Sequence, residues 1–184
     1  MKILIVLLLA AGTLSTAQTK NGELFPFGLR EKMSATDVIN AAKMSGCDPV
    51  TRINEAEIKS ITIHPRDAKL GNQNVDCYHT EFFRDHLWGV NVELKGSADA
   101  AEHHRRLEDL VTFVKKTYPG SVTSCRLDKM TPGKDRSFSY VLEMRYGTLL
   151  VTVVSDYDTL TSKYSAAVTY TRMNPGRYQA KNSM

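Results

Sequence analysis

Apolar and polar residues follow each other in three rhythms along this chain. The first is unbroken: Ile3 to Ala11 is wholly apolar, follows Lys2, and gives way to Gly12, Thr13, Leu14, Ser15, Thr16 and Ala17. A basic residue, a short apolar core and small residues at Ser15 and Ala17 are the parts of a secretory signal peptide, cut between Ala17 and Gln18. The run is too short to span a bilayer. No Cys follows it where a bacterial lipid anchor needs one, and no later segment is apolar enough to cross a membrane. The expectation is a free periplasmic or secreted protein: a signal over 1–17, one domain over 18–174 and a polar, basic tail over 175–184.

The second rhythm is helical. Ser34 with Asp37 three residues on forms a capping pattern, Val38, Ile39, Ala41 and Ala42 supply an apolar face, and Gly46 offers a left-handed stop. A longer helix starts at Asp99 and Glu102, whose charge suits a helix N-terminus, and runs to about Thr117. Leu107, Leu110, Val111, Val114 and Tyr118 recur at three- and four-residue spacing, and Pro119 and Gly120 end it.

The third rhythm has period two. Ile58, Ile61 and Ile63 mark a strand, and residues 67–74 form a loop. Two strands, 75–83 and 87–94, are joined by a tight turn at Arg84, Asp85 and His86. In the second, Trp88, Val90, Val92 and Leu94 alternate with polar or small residues, the pattern of a sheet with one face on a core. Beyond the long helix come a weak strand at 122–127, a polar loop at 130–136, and three strong strands: Phe138, Tyr140, Leu142, Met144 and Tyr146 alternate, 149–154 is apolar on both faces, and Tyr164, Ala166, Val168 and Tyr170 alternate again. The fold class is α+β, an antiparallel sheet with two helices packed on one face. The element order also suits two similar halves of a helix and then three strands, 24–95 and 97–174.

The stretch from Phe27-Gly28 to Met33-Ser34-Ala35-Thr36-Asp37-Val38 resembles the opening helix of small bacterial envelope domains of the SmpA/OmlA and β-lactamase-inhibitor-protein type, with Lys32 standing where those helices usually carry Gly. The resemblance covers about a dozen residues. It implies a short helix before an antiparallel sheet and a domain that works by binding another protein, and it assigns no functional residue.

Composition narrows the class further. The 24 Lys and Arg against 20 Asp and Glu leave a charge of +4 spread along the chain, which is no nucleic-acid footprint. Three cysteines, Cys47, Cys77 and Cys125, are too few to frame a fold of this length. In an oxidising compartment they suggest one disulfide and one thiol, with Cys47 and Cys77 the favoured pair because they lie in the same half. None of the eight Asn heads an Asn-X-Ser/Thr acceptor, which suits bacterial export.

Four groups of residues are candidates for chemistry. Cys77 and His79 share a face of one strand and His86 follows the turn, so these three form the fallback metal or thiol site. His103, His104, Arg105 and Arg106 make a basic patch on the long helix, expected to be a solvated face. Asp156 and Asp158 lie between strands as an acidic turn. Trp88, Tyr140, Tyr164 and Tyr170 are the residues expected to contact a partner if they project from the sheet. No His, carboxylate and nucleophile converge by spacing. The sequence therefore favours an exported non-enzymatic binding or scaffold domain, without a cofactor, acting on another envelope or secreted protein. The alternatives are an inhibitor of a secreted enzyme, using the loops at 67–74 or 155–163, and a small metal- or thiol-dependent hydrolase.

Overall fold

The computed structural model describes residues 25–54, 58–129, 136–158 and 161–173. The signal segment 1–17, the tail and residues 130–135 of the expected polar loop lie outside the described residues. A single 3-10 turn, Pro26–Gly28, precedes helix α1, Ala35–Met44. Strands β1 (Val50–Asn54), β2 (Ile58–Ile63), β3 (Lys69–Leu70), β4 (Gln73–Phe83) and β5 (His86–Ser97) follow. Helix α2, Ala100–Thr117, leads to β6 (Ser121–Lys129), β7 (Arg136–Tyr146), β8 (Leu149–Asp158) and β9 (Lys163–Arg172).

Local chemistry accounts for both helices. Ser34 Oγ accepts from the backbone of Asp37, and the Asp37 carboxylate accepts from the backbone of Ser34, a complete capping box. The Asp37 carboxylate accepts from both the backbone N–H and the hydroxyl of Ser34, and these two hydrogen bonds hold it below its ordinary pKa. Gly46, at φ +72°, closes the other end. Asp99 caps α2 by accepting from Glu102 N at 2.8 Å. Replacing Asp99 with Ala is expected to lower stability by about 1 kcal/mol, measured by urea unfolding; an unchanged midpoint would mean the cap contributes nothing.

The strands form one antiparallel sheet in the order β1-β2-β4-β5-β9-β8-β7-β6, with β3 paired to β4. The fold is α+β. Each helix is followed by strands that run from an edge to the centre, where β5 meets β9. The first half has more strands than three, because it includes Val50–Asn54 and Lys69–Leu70. Neither is long or alternating enough to show in the sequence; pairing with β2 and β4 supplies what local pattern lacks. The expected loop at 67–74 is consequently a hairpin, turning at Gly71. The expected acidic turn is also strand: Asp156 and Asp158 pair with Ser165 and Lys163, so β8 runs to within a few residues of β9. The strand expected to end at residue 94 continues to Ser97, with a register shift after Leu94.

One face of the sheet carries the core. Ile61, Ile63, Tyr78, Phe82, Leu87, Val90, Val92, Leu142, Met144, Val151, Val153, Val168 and Tyr170 join one buried cluster with Val38 and Ala42 of α1 and Leu107, Leu110 and Val114 of α2. Alternate residues at the centre of the sheet point the other way. Asn91 and Glu93 on β5, Ala167 and Thr169 on β9, and Thr152 and Val154 on β8 are half-buried, whereas the inward Val90, Val92, Val151, Val153, Val168 and Tyr170 are fully buried.

Candidate functional site

Two β-bulges decide which side chains reach the outward face. On β4, Val75 pairs with Leu94 and Cys77 with Glu93, so Asp76 is an extra residue. In a regular strand residues 75 and 77 would share a face. The bulge reverses that: Val75 belongs to the core cluster, while Cys77 does not, and it points outward opposite Glu93. His79 follows on the same face.

These three side chains meet. Cys77 Sγ donates to Glu93 Oε2 at 3.4 Å and lies 3.4 Å from His79 Nε2, and His79 Nε2 lies 3.2 Å from Glu93 Oε1. On the far side of the ring, His79 Nδ1 is 2.8 Å from Thr62 Oγ1 of the adjacent β2. Cys77 is 4% exposed, but His79 and Glu93 keep a third to a half of their side-chain surface in solvent. Burial, with the charge of Glu93 and its hydrogen bond and the charge of Asp76, pushes the Cys77 thiol up to about 12. A thiol held neutral in this way is a poor nucleophile at ordinary pH. Among the described residues, Cys77, His79 and Glu93 are the His, Cys and carboxylate group whose ligand atoms converge, all within 4.8 Å. The sequence named the first two but supplied His86 as the third. His86 pairs with Phe83 at the far end of the hairpin, seven residues and roughly 20 Å of strand from Glu93. The missed residue, Glu93, is visible only once the register of β4 against β5 is known.

The expected Cys47–Cys77 disulfide is absent. All three cysteines are free, because Cys47 sits in the core cluster on one side of the sheet and Cys77 faces the other.

The aromatic contact residues separate in the same way. Tyr170 is 0% exposed and lies in the core, with its ring 5.3 Å from that of Tyr118, so it cannot touch a partner. Burial raises its pKa well above the ordinary value. Tyr140 is half-buried against the core, and Tyr164 stacks on His103 of α2 at 5.0 Å, so both face the helices. Trp88 is the exception, again through a bulge. Phe82 pairs with Leu87 and Glu81 with Gly89, leaving Trp88 as the extra residue. It therefore leaves the inward series of Val90, Val92 and Leu94 and packs on Phe83, with ring centroids 5.8 Å apart. The Arg84 guanidinium lies over Phe83 at 5.3 Å. Arg84 and Asp85 form the hairpin turn with φ +50° and +61°, the two left-handed positions of a type I′ turn.

The basic patch on α2 is smaller than its sequence suggests. His103 faces the sheet at 6% exposure, with Nε2 2.7 Å from Ser155 Oγ. Ser155 is fully buried, so this His–Ser contact offers no nucleophile to a substrate. His104 and Arg105 are exposed, and Arg106 is paired with Glu102 one turn earlier at 2.6 Å.

Among the described residues no helix is long and apolar enough to cross a membrane. No protein family, curated protein or solved structure matches the chain.

Proposed function

We propose that this chain is an exported, non-enzymatic binding domain that takes hold of another envelope or secreted protein through the outward face of its sheet. The observation that carries this is the group of Trp88, Phe83 and Arg84 at the β4–β5 hairpin, outside the core cluster. Trp and Arg are the side chains that most often anchor protein interfaces, because each brings large contact area with a polar or charged end. Here one Trp, one Phe and one Arg are held together by ring contacts on a rigid hairpin. On the same face of the sheet, Thr169, Thr152 and Val154 are half-buried and uncharged. Export is supported by the signal pattern at 1–17, and a binding role by the resemblance of the opening helix to envelope domains.

The test is site-specific photo-crosslinking in the cells that export the protein. A photoreactive amino acid at Thr169 or Thr152 is expected to trap a discrete partner, and the same group at Arg105 or Lys116 of α2 to trap none. Trp88→Ala should abolish the crosslink with little change in thermal stability. Crosslinks from α2 alone would place the contact on the helices and refute the proposal.

A further inference from the structure

We propose that Cys77, His79 and Glu93 bind one zinc ion on the outward face of the sheet, with Thr62 fixing the orientation of His79. The inference is independent of the binding role above. Zinc at the usual bond lengths of about 2.0 to 2.1 Å to nitrogen and oxygen and about 2.3 Å to sulfur sets the edges of its tetrahedron. Those lengths require ligand atoms about 3.3 Å apart for the nitrogen–oxygen edge and about 3.6 Å for the edges to sulfur. The observed separations are 3.2 Å for His79 Nε2 to Glu93 Oε1, and 3.4 Å from Cys77 Sγ to both His79 Nε2 and Glu93 Oε2. The two Glu93 contacts are made by different oxygens; counted with one atom per residue, the three donors lie within 4.8 Å of one another, so the carboxylate must turn to present one oxygen to a zinc ion held between them.

The donor types agree with the distances. Thiolate, imidazole and carboxylate together suit zinc better than the oxygen-seeking magnesium or calcium. Behind the ligands, Thr62 Oγ1 is 2.8 Å from His79 Nδ1, the outer hydrogen bond that metal-bound histidines almost always make. In the metal-free form Thr62 donates to Nδ1, and His79 Nε2–H and the Cys77 thiol both donate to the Glu93 carboxylate. On binding, the thiol proton leaves to solvent and the imidazole proton moves from Nε2 to Nδ1, where Thr62 Oγ1 accepts it. Zinc takes the freed Nε2 and Sγ. Three ligands on two neighbouring strands leave the fourth position directed away from the sheet, open to water or to a group from a partner.

The rigidity of the arrangement also argues for a site. Cys77 and Glu93 are directly paired across β4 and β5, His79 is two residues along, and Thr62 is paired with His79 from β2. The Asp76 bulge is what turns Cys77 outward to join them, and bulges that re-aim a side chain gather beside functional sites.

The test uses the mature protein, purified under reducing conditions and freed of metal by chelation. Titration with zinc alone, followed by calorimetry, is expected to give one equivalent. Substitution with Co(II) is expected to produce a thiolate-to-metal charge-transfer band, a signature of Cys77 ligation that mere folding does not supply. Glu93→Gln and Cys77→Ser should each weaken zinc by about tenfold or more, and Thr62→Val by about tenfold; His86→Ala should leave it unchanged. Far-ultraviolet circular dichroism confirms that each variant is folded. Failure of the native chain to take up stoichiometric zinc at micromolar concentration overturns the proposal. So does a cobalt complex without the charge-transfer band, or zinc binding that survives both Glu93→Gln and Cys77→Ser.

Discussion

Gly120→Ala is expected to destabilise the protein by about 3 kcal/mol, the upper end of what forced overpacking costs. Gly120 lies where the chain leaves α2 and enters β6. A Cβ built there would stand 1.9 Å from the carbonyl oxygen of Arg145, 2.6 Å from its carbonyl carbon and 3.1 Å from Tyr146 Cα. All three are backbone atoms of β7, and a backbone cannot swing aside as a side chain can. Relief requires β6 to draw away from β7, which breaks the pairing of Ser121 with Arg145 and Val122 with Met144. Gly46→Ala makes the control, since a Cβ there meets nothing within 4 Å and only the left-handed φ of +72° opposes it. It should cost about 1 kcal/mol. Urea denaturation of the two variants decides the matter: equal losses would show that the α2–β6 connection yields without strain.

The second large effect is acid sensitivity through His103. Burial lowers its pKa below the ordinary histidine value, and the nearby Arg106 and His104 add to the shift in the same direction. The sign follows from proton counts. Above about pH 6.5 the ring is neutral in both folded and unfolded chains, and the full stability is present. As the pH falls through the unfolded value the unfolded chain binds a proton first, so stability drops, by at most about 1.4 kcal/mol per pH unit for this one group. The loss continues until the pH reaches the depressed folded value. The surroundings leave little room for a charged ring: Ser155 Oγ lies 2.7 Å from Nε2 and Tyr164 stacks on one face. His103→Gln, which keeps an amide near Ser155, is expected to flatten the decline in urea midpoint between about pH 7.5 and about pH 5. A slope as steep in the variant as in the native protein would assign acid sensitivity to other groups.

His103 also shows how local pattern misleads. In the run His103-His104-Arg105-Arg106 every residue is polar, and a helix face of that composition belongs in water. His104 and Arg105 do lie there. His103, however, is on the same stripe as Leu107, Leu110 and Val114, four residues before the first of them, and the helix that buries those residues takes His103 with them. Its hydrogen bond to Ser155 makes burial tolerable, and Ser155 lies 52 residues away. The tyrosines carry the complementary lesson. Alternation correctly put Tyr140, Tyr164 and Tyr170 on one face of the sheet, but it could not say that the helices cover that face.

Helix positions, strand periodicity and the α+β class were determined by the sequence itself, because capping residues, apolar stripes and two-residue alternation act over a few positions and need no partner. The short strands Val50–Asn54 and Lys69–Leu70 escaped because they exist through pairing alone. The site escaped for a related reason. One inserted residue, Asp76, reverses the facing of everything after it and separates Cys77 from Cys47, and a second, Trp88, does the same on the neighbouring strand. Whether Glu93 or His86 completes the group at Cys77 and His79 is then a matter of strand register, set by the whole sheet closing on one core. No spacing within the chain encodes that register, so only the tertiary structure decided which residues meet.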